Sequence, residues 1–126
     1  MKSLNIKRIK NKNVYSSINA QGIKSNGFIF VTRTGKNVKG SYGKGLTEQA
    51  KMIMENIKTI LEENESSLDN IVKVTIYITD LDKVGEFNEV YYSYFKDKDI
   101  RPVRCCVEVS KLAAEAEVEV EFVAVY

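Results

Sequence analysis

The chain has 126 residues, 44% of them hydrophobic, with 19 basic and 17 acidic side chains and a net charge of +2, which fits one globular domain over residues 1–126. The charges nearly balance and no basic stripe is interleaved with aromatic residues, which argues against nucleic acid as a partner. No run approaches the roughly 18 apolar residues of a membrane span and no secretory leader is visible, so we expect no membrane partner and a cytoplasmic location.

The N-terminal third of the chain predicts β structure. Its basic opening is typical of a solvated edge strand whose charges discourage further pairing, with Lys2, Lys7, Arg8, Lys10 and Lys12. Residues 28–32 are an apolar, β-rich run that follows the turn signal Asn26-Gly27. Residues 35–43 contain three glycines and predict a turn or a short hairpin.

Hydrophobic spacing predicts the remaining elements, which are a helix over 46–63, a strand over 72–79, a helix over 82–96 and strands over 103–109 and 117–125. In the first of these strands Val72 and Val74 belong to the apolar, buried set. The order β(β)αβαββ predicts an α+β fold, with two helices on one face of a mainly antiparallel or mixed sheet. The bare face then meets either water or other subunits, and the second arrangement creates ligand clefts between chains.

The sequence contains no histidine, which excludes Ser-His-Asp and Cys-His triads and any histidine-based metal site. Cys105 and Cys106 are adjacent, and neighbours on a strand point to opposite faces, so we expect no disulfide between them. Reduced thiols agree with a cytoplasmic location. Two cysteines alone make a poor zinc site, so we also expect no bound metal.

Two of the four arginines flank the single proline, in Arg101-Pro102-Val103-Arg104. On the predicted strand Arg104 alternates in register with Cys106 and Glu108. The opposite, more apolar set is expected to face the helices and comprises Val103, Cys105, Val107 and Val109. Arg104 then lies on the bare face, either as a surface arginine paired with a strand glutamate or as a bidentate clamp for a carboxylate.

Other polar residues also occupy positions that call for a partner. Glu117, Glu119 and Glu121 share one face of the last strand. This row is either a solvated face or the location of one partly buried carboxylate. Burial would raise the pKa of that carboxylate, which could then hold or activate a water molecule. Asn88 falls on the apolar stripe of the second helix and needs hydrogen-bond partners there, and Tyr15 anchors a polar N-terminal loop.

Several segments resemble the RidA/YjgF family of reactive-intermediate deaminases. Residues 102–112 (Pro-Val-Arg-Cys-Cys-Val-Glu-Val-Ser-Lys-Leu) are similar to its signature Pro-Ala-Arg-Ser-Cys-Val-Glu-Val-Ala-Arg-Leu, and Val-Glu-Val-Glu at 118–121 is similar to the Val-Glu-Ile-Glu that follows. Residues 47–61 resemble the family's first helix, residues 67–80 its central strand and residues 87–91 its second helix. The resemblance extends over about residues 15–125.

The resemblance implies a chorismate-mutase-like fold in which three subunits close their sheets into a central barrel, with clefts between neighbours. It implies hydrolysis of 2-imino acids, or of their enamine tautomers, to 2-keto acids and ammonia, without a cofactor. Arg104 then binds the substrate carboxylate and Glu119 positions the attacking water, while Cys106, Asn88 and Tyr15 line the pocket. Since an iminium is already electrophilic, orienting it and a water is the main requirement.

One segment departs from the family. Its Phe-Val-Ser-Gly-Gln reads Phe-Val-Thr-Arg-Thr here, so Thr32 replaces the serine and Arg33 replaces a glycine whose backbone approaches the substrate. Arg33 is expected either to block the pocket or to add a second cation that favours a more acidic ligand. The alternative function is therefore a non-catalytic trimeric binder or sensor of small carboxylates. A ribonuclease function, also attributed to the family, is disfavoured by the low net charge and the missing histidine.

Overall fold

The computed structural model of the protein describes residues 5–17 and 19–126. Its elements are β1 (Lys7–Ile9), β2 (Gly22–Ser25), β3 (Phe28–Thr34), α1 (Leu46–Glu62), β4 (Ile71–Ile78), α2 (Val84–Tyr94), β5 (Val103–Glu108) and β6 (Val118–Val125). The bounds predicted for β3, both helices and the last three strands agree within two residues. The turn predicted over 35–43 closes through an isolated antiparallel bridge between Lys36 and Tyr42.

The six strands form one sheet in the order β1-β2-β3-β6-β4-β5. Only β4 and β5 pair in parallel, and the other neighbours are antiparallel. The predicted α+β fold, with two helices on one face of a mixed sheet, is confirmed. Exposed Lys7 and Arg8 lie on the edge strand β1, as predicted for this basic segment, while Lys2 lies outside the described residues.

The core lies between the helices and one face of β3, β4 and β6. Alternate residues of these strands are buried, and α1 covers them with one apolar side (Ala50, Ile53, Met54, Ile57, Ile60 and Leu61). On β6 the buried set is Val118, Val120, Phe122 and Ala124, as the alternation predicts. The opposite face, which we call the open face, carries the other residues of each strand, including Thr32, Tyr77, Glu119 and Glu121.

β2 was not predicted as a strand. It forms a two-residue hairpin with β3 in which Asn26 (φ 50°) and Gly27 (φ 87°) both adopt positive φ, the conformation that Asn-Gly tolerates best. The sequence Gly-Ile-Lys-Ser has no apolar alternation to mark it. Lys24 is nevertheless buried, because its ammonium reaches Glu65 at 2.8 Å and lies over the Tyr126 ring.

The prediction that Val72 belongs to the buried set of β4 is wrong. The register between β4 and β6 shifts between Ile71 and Lys73, which is the signature of a β-bulge. Because the extra residue reverses the alternation, Ile71 is buried and Val72 is 42% exposed. The faces predicted from Val74 onward are confirmed.

The predicted orientation of β5 is also wrong. Arg104 lies in register with Val74, and Cys106 with Ile76, so both point to the helix side of the sheet rather than to the open face. Val103, which was expected to face the helices, is 69% exposed on the open face. Apolar residues lie on both faces of this edge strand, so the pattern of polar and apolar residues does not identify which face of β5 points to the helices.

We expect Phe122→Ala to be the most destabilising single substitution in β6. Phe122 is 1% exposed in the middle of the sheet, and truncation of a buried phenylalanine typically costs about 3–5 kcal/mol because it leaves a cavity. Urea denaturation at a fixed protein concentration measures this loss, with exposed Lys58→Ala as the control. A loss below about 1 kcal/mol would contradict the burial of this ring.

Candidate functional site

Arg104 is held against α2 by aromatic rings and one amide. Its Nη2 donates to Oδ1 of Asn88, and its Cζ lies 4.7 Å from the Tyr91 ring centroid and 5.4 Å from that of Tyr92, a distance at which a cation and an aromatic face attract. The predicted need of Asn88 for a partner is met here. These contacts hold the Arg104 guanidinium in one orientation against α2.

Arg104 has unused capacity to bind an anion. Its Nη1 is buried without a hydrogen-bond partner, as is the hydroxyl of Tyr91. Within residues 5–17 and 19–126 no carboxylate forms a salt bridge with Arg104, so the interpretation as an arginine paired with a strand glutamate is wrong. Burial raises the pKa of Tyr91 to about 12, so this hydroxyl remains a donor at neutral pH.

Cys106 lies beside Arg104 on β5 and packs against the core. Burial raises the pKa of its thiol, which outweighs the opposite effect of the Arg104 charge. The thiolate is the nucleophilic form of cysteine, so a raised pKa keeps this group neutral and unreactive. Cys106 therefore contributes packing rather than nucleophilic chemistry beside Arg104. We call Asn88, Arg104 and Cys106 the arginine half-site.

Glu119 lies in a different place. Its Oε2 accepts a hydrogen bond from Oγ1 of Thr32 at 3.1 Å across β3 and β6. Together with Tyr15 and Arg33 these residues line a cleft of about 200 Å³, where the N-terminal loop covers the end of β3. We call Tyr15, Thr32, Arg33 and Glu119 the glutamate half-site.

Arg33 is 9% exposed. Its Nη2 donates to the carbonyl oxygen of Tyr15 at 2.8 Å, which ties β3 to the loop. Burial lowers the pKa of Arg33, because loss of water disfavours the charged form. Its Nε has no hydrogen-bond partner, and no salt bridge to it is found among the described residues.

The two half-sites are far apart within one chain. Arg33 is in register with Val120, Val120 with Ile76, and Ile76 with Cys106. This row crosses three strand spacings, roughly 14 Å at about 4.8 Å per spacing. Arg33 therefore does not occupy the surroundings of Arg104 in the same copy.

Arg104 and Glu119 are also divided by the sheet itself. Glu119 is in register with Tyr77, whose side chain contacts Glu121 on the open face, whereas Arg104 points to the helix side. The prediction that Arg104 and the strand glutamates share a face is wrong. One small ligand cannot touch both groups of a single copy, because β4 lies between β5 and β6 and the two side chains point to opposite faces of the sheet.

Two features of the half-sites were missed by sequence reasoning. The Nζ of Lys36 lies between two tyrosine rings, 4.6 Å from the Tyr15 centroid and 4.9 Å from that of Tyr42, and it lines the same cleft as Glu119. Tyr91 supplies the face under Arg104 and a free donor. Neither role has a local sequence signal, since each depends on residues that are distant along the chain.

The open face also carries exposed apolar side chains. Phe28 is 44% exposed and Phe30 is 47% exposed, with their ring centroids 6.2 Å apart. Val103 and Val107 form a second exposed apolar patch on β5, with the open-face residues of β6 and β4 between the two patches. Exposed apolar patches on one face of a sheet are typical of a protein–protein contact.

No helix in the described part of the chain has both the length and the apolar character to cross a membrane. The described residues also contain no group of three or more Cys, Asp or Glu side chains arranged to hold a metal ion.

Comparison with known proteins agrees on one family. The family model described as "Endoribonuclease L-PSP" matches residues 6–126. A RutC family protein of Aquifex aeolicus is 46% identical over 108 residues, which is 84% of this chain and 86% of that protein. The family model spans the sheet and both half-sites.

Solved structures lead to the same group. YyfA from Yersinia pestis, described as a protein of unknown function of the conserved Rid family, has a TM-score of 0.91 at 32% identity, covering 96% of this chain and 99% of YyfA. Escherichia coli TdcF, solved with bound serine, has a TM-score of 0.87 at 29% identity over 95% of this chain and 98% of TdcF. The chain therefore belongs to the endoribonuclease L-PSP family, the group of RutC and Rid proteins that the RidA/YjgF resemblance indicated.

Proposed function

We propose that the protein hydrolyses reactive 2-imino acids, or their enamine tautomers, to 2-keto acids and ammonia at sites formed between copies of the chain. The observation that supports this most is the separation of Arg104 from Glu119. The arginine half-site contains no carboxylate that could activate water, and the buried Nη1 of Arg104, which has no partner among the described residues, is far from Glu119. A neighbouring copy supplies the missing half.

The geometry favours a closed ring of copies. The arginine half-site and the glutamate half-site are different surfaces, so joining one to the other is a heterologous contact, which closes into a ring when the rotation permits. The open face, with its apolar patches, then lies inside the ring, where the sheets of three copies form a barrel. The assembly that we propose is a homotrimer with three equivalent sites.

The residues divide the chemistry between them. Arg104 binds the substrate carboxylate through two parallel hydrogen bonds, and Asn88 holds the guanidinium in place. Thr32 orients Glu119. Glu119 accepts a proton from a water molecule while the oxygen of that water attacks the imine carbon. Glu119 then returns this proton to the amino group of the tetrahedral adduct, and the carbon–nitrogen bond breaks as the hydroxyl becomes the keto oxygen and its proton passes to the departing ammonia. Overall the iminium and one water yield the keto acid and one ammonium ion.

The test is the release of ammonia from 2-iminopropanoate or 2-iminobutanoate that an amino-acid oxidase generates in the assay. The wild-type protein is expected to accelerate the release above the uncatalysed rate, whereas Arg104→Ala is not. If both proteins leave the rate unchanged, the enzymatic proposal fails. No metal or organic cofactor is added in this assay.

Arg33 favours one other candidate function. A buried, unpaired cation in the glutamate half-site can retain a carboxylate without turning it over, which is what a trimeric sensor of carboxylate metabolites requires. Arg33→Gly is then expected to create deaminase activity that the wild type lacks. Activity in the wild type would exclude this candidate.

We expect Phe30→Asp to dissociate the proposed trimer. Phe30 lies at the centre of the open face, and a buried carboxylate without a partner there is strongly unfavourable. Sedimentation velocity should change from a species of about three chains to one. Val38→Asp is the matched control, because Val38 is an equally exposed apolar residue on the turn after β3. Retention of the trimer in Phe30→Asp would place the interface elsewhere.

A further inference from the structure

The glutamate half-site contains more positive charge than the proposed reaction uses. Besides Glu119, its cleft is lined by Arg33 and Lys36, and by the hydroxyl-bearing residues Ser16 and Thr34. Two cations and one carboxylate give this small cleft a net positive charge. The proposed mechanism assigns the substrate's 2-carboxylate to Arg104 of the neighbouring copy, so both cations remain without a role.

Both cations are fixed in place by groups that do not neutralise them. Arg33 is anchored by a backbone carbonyl at 2.8 Å, and Lys36 by the faces of two tyrosine rings. Among the described residues neither forms a salt bridge with a carboxylate. Keeping a nine-tenths buried guanidinium unpaired is unfavourable, unless an anion enters the cleft and pairs with it.

We propose that Arg33 and Lys36 form a second anion subsite, which makes 2-imino dicarboxylic acids the preferred substrates. This inference rests on the proposed function for the position of the reacting carbon. The 2-carboxylate lies on Arg104 of one copy, the imine carbon lies near Glu119 of the next, and the distal carboxylate lies between Arg33 and Lys36. A cleft of about 200 Å³ exceeds the roughly 30 Å³ share of a water several-fold, so a short acidic side chain has room there.

The chemistry of the cleft favours a carboxylate over an apolar substituent. Arg33 and Lys36 attract a negative group, while the hydroxyl of Thr34, which lines the same cleft, can donate to its remaining oxygens. An apolar side chain of the substrate would leave these cations unpaired and partly desolvated. Discrimination by unpaired polar groups is stronger than discrimination by size.

The experiment compares two substrates generated in the assay by amino-acid oxidases, iminosuccinate from aspartate and 2-iminopropanoate from alanine. In the wild type we expect kcat/KM to favour iminosuccinate by about tenfold or more. Arg33→Gly and Lys36→Gln should each lower the iminosuccinate value by about tenfold, and Arg33→Gly should raise the 2-iminopropanoate value, so that the preference reverses. Arg33→Lys should retain the preference for the dicarboxylate. The control is Lys39→Gln, an exposed lysine of the same turn outside the cleft.

A binding measurement separates the subsite from the proposed reaction. Calorimetry with the unreactive acids succinate and propanoate should give a Kd for succinate that is lower by about tenfold, with the difference lost in Lys36→Gln. If neither imine is hydrolysed but succinate binds in this way, the proposed function fails and the subsite stands. If both imines are hydrolysed without preference and succinate binds no better than propanoate, the subsite is refuted while the proposed function stands.

Discussion

In Arg104→Ala, deamination of 2-imino acids is expected to fall by a factor of about 10²–10⁴. Removing one member of a desolvated charge pair costs about 3–5 kcal/mol, and each 1.4 kcal/mol is a factor of ten. Arg104 is the only described cation held against α2 with a free, buried N–H group. Its loss should therefore appear in kcat/KM measured with freshly generated 2-iminopropanoate.

Stability measurements distinguish this effect from general damage. Arg104 contributes cation–π contacts but also carries an unpaired, half-buried charge, so we expect the free energy of unfolding of Arg104→Ala to change by only about 1 kcal/mol. Arg104→Lys should lose much of the activity as well, because an ammonium lacks the planar fork. A fall in activity that tracks a large fall in stability would refute the role of carboxylate clamp.

Arg101→Ala is the matched control. Arg101 belongs to the same segment, donates to the Phe95 carbonyl at 2.8 Å and stacks on Tyr92 with its Cζ 4.4 Å from the ring centroid. It has no part in either half-site. We expect this variant to retain most of the activity, so equal losses in Arg101→Ala and Arg104→Ala would indicate that the segment is only structural.

Mixed oligomers of Arg104→Ala and Glu119→Gln chains should regain activity that neither variant has alone. If Arg104 of one copy meets Glu119 of the next, every mixed trimer contains one site in which both residues are intact. Random assembly from equal amounts makes about three quarters of the trimers mixed, so about a quarter of the wild-type sites are restored in a cyclic trimer. The measurement is the specific activity after co-expression or joint refolding.

The outcome of this experiment depends on geometry rather than on affinity. A site built within one chain predicts no recovery, since each chain lacks an essential residue. The same-copy arrangement is already disfavoured, because β4 lies between β5 and β6 and because Arg104 and Glu119 point to opposite faces of the sheet. The control mixes Arg104→Ala with Arg104→Lys, in which no site can become intact. Absence of recovery in a verified mixed trimer would refute the shared site.

Much of the fold is determined by the sequence alone. Helical spacing over 46–63 identifies α1, and the alternation on β6 identifies its buried residues, because both elements have one apolar side against one polar side. The segment around Arg104 identifies the family for the same local reason. These features depend on residues that are close together along the chain.

Other features depend on contacts between residues that are distant along the chain, and only the tertiary structure determines them. The bulge that exposes Val72 depends on pairing with β6. The position of Lys36 between Tyr15 and Tyr42 depends on two separate loops. The inner face of β5 could not be predicted because the rule that apolar residues point inward requires the other face to meet water. On this strand Val103 is exposed on the open face, whereas Arg104 contacts aromatic rings on the helix side. The rule therefore predicted the wrong inner face for β5, and with it a single site that contains both Arg104 and Glu119.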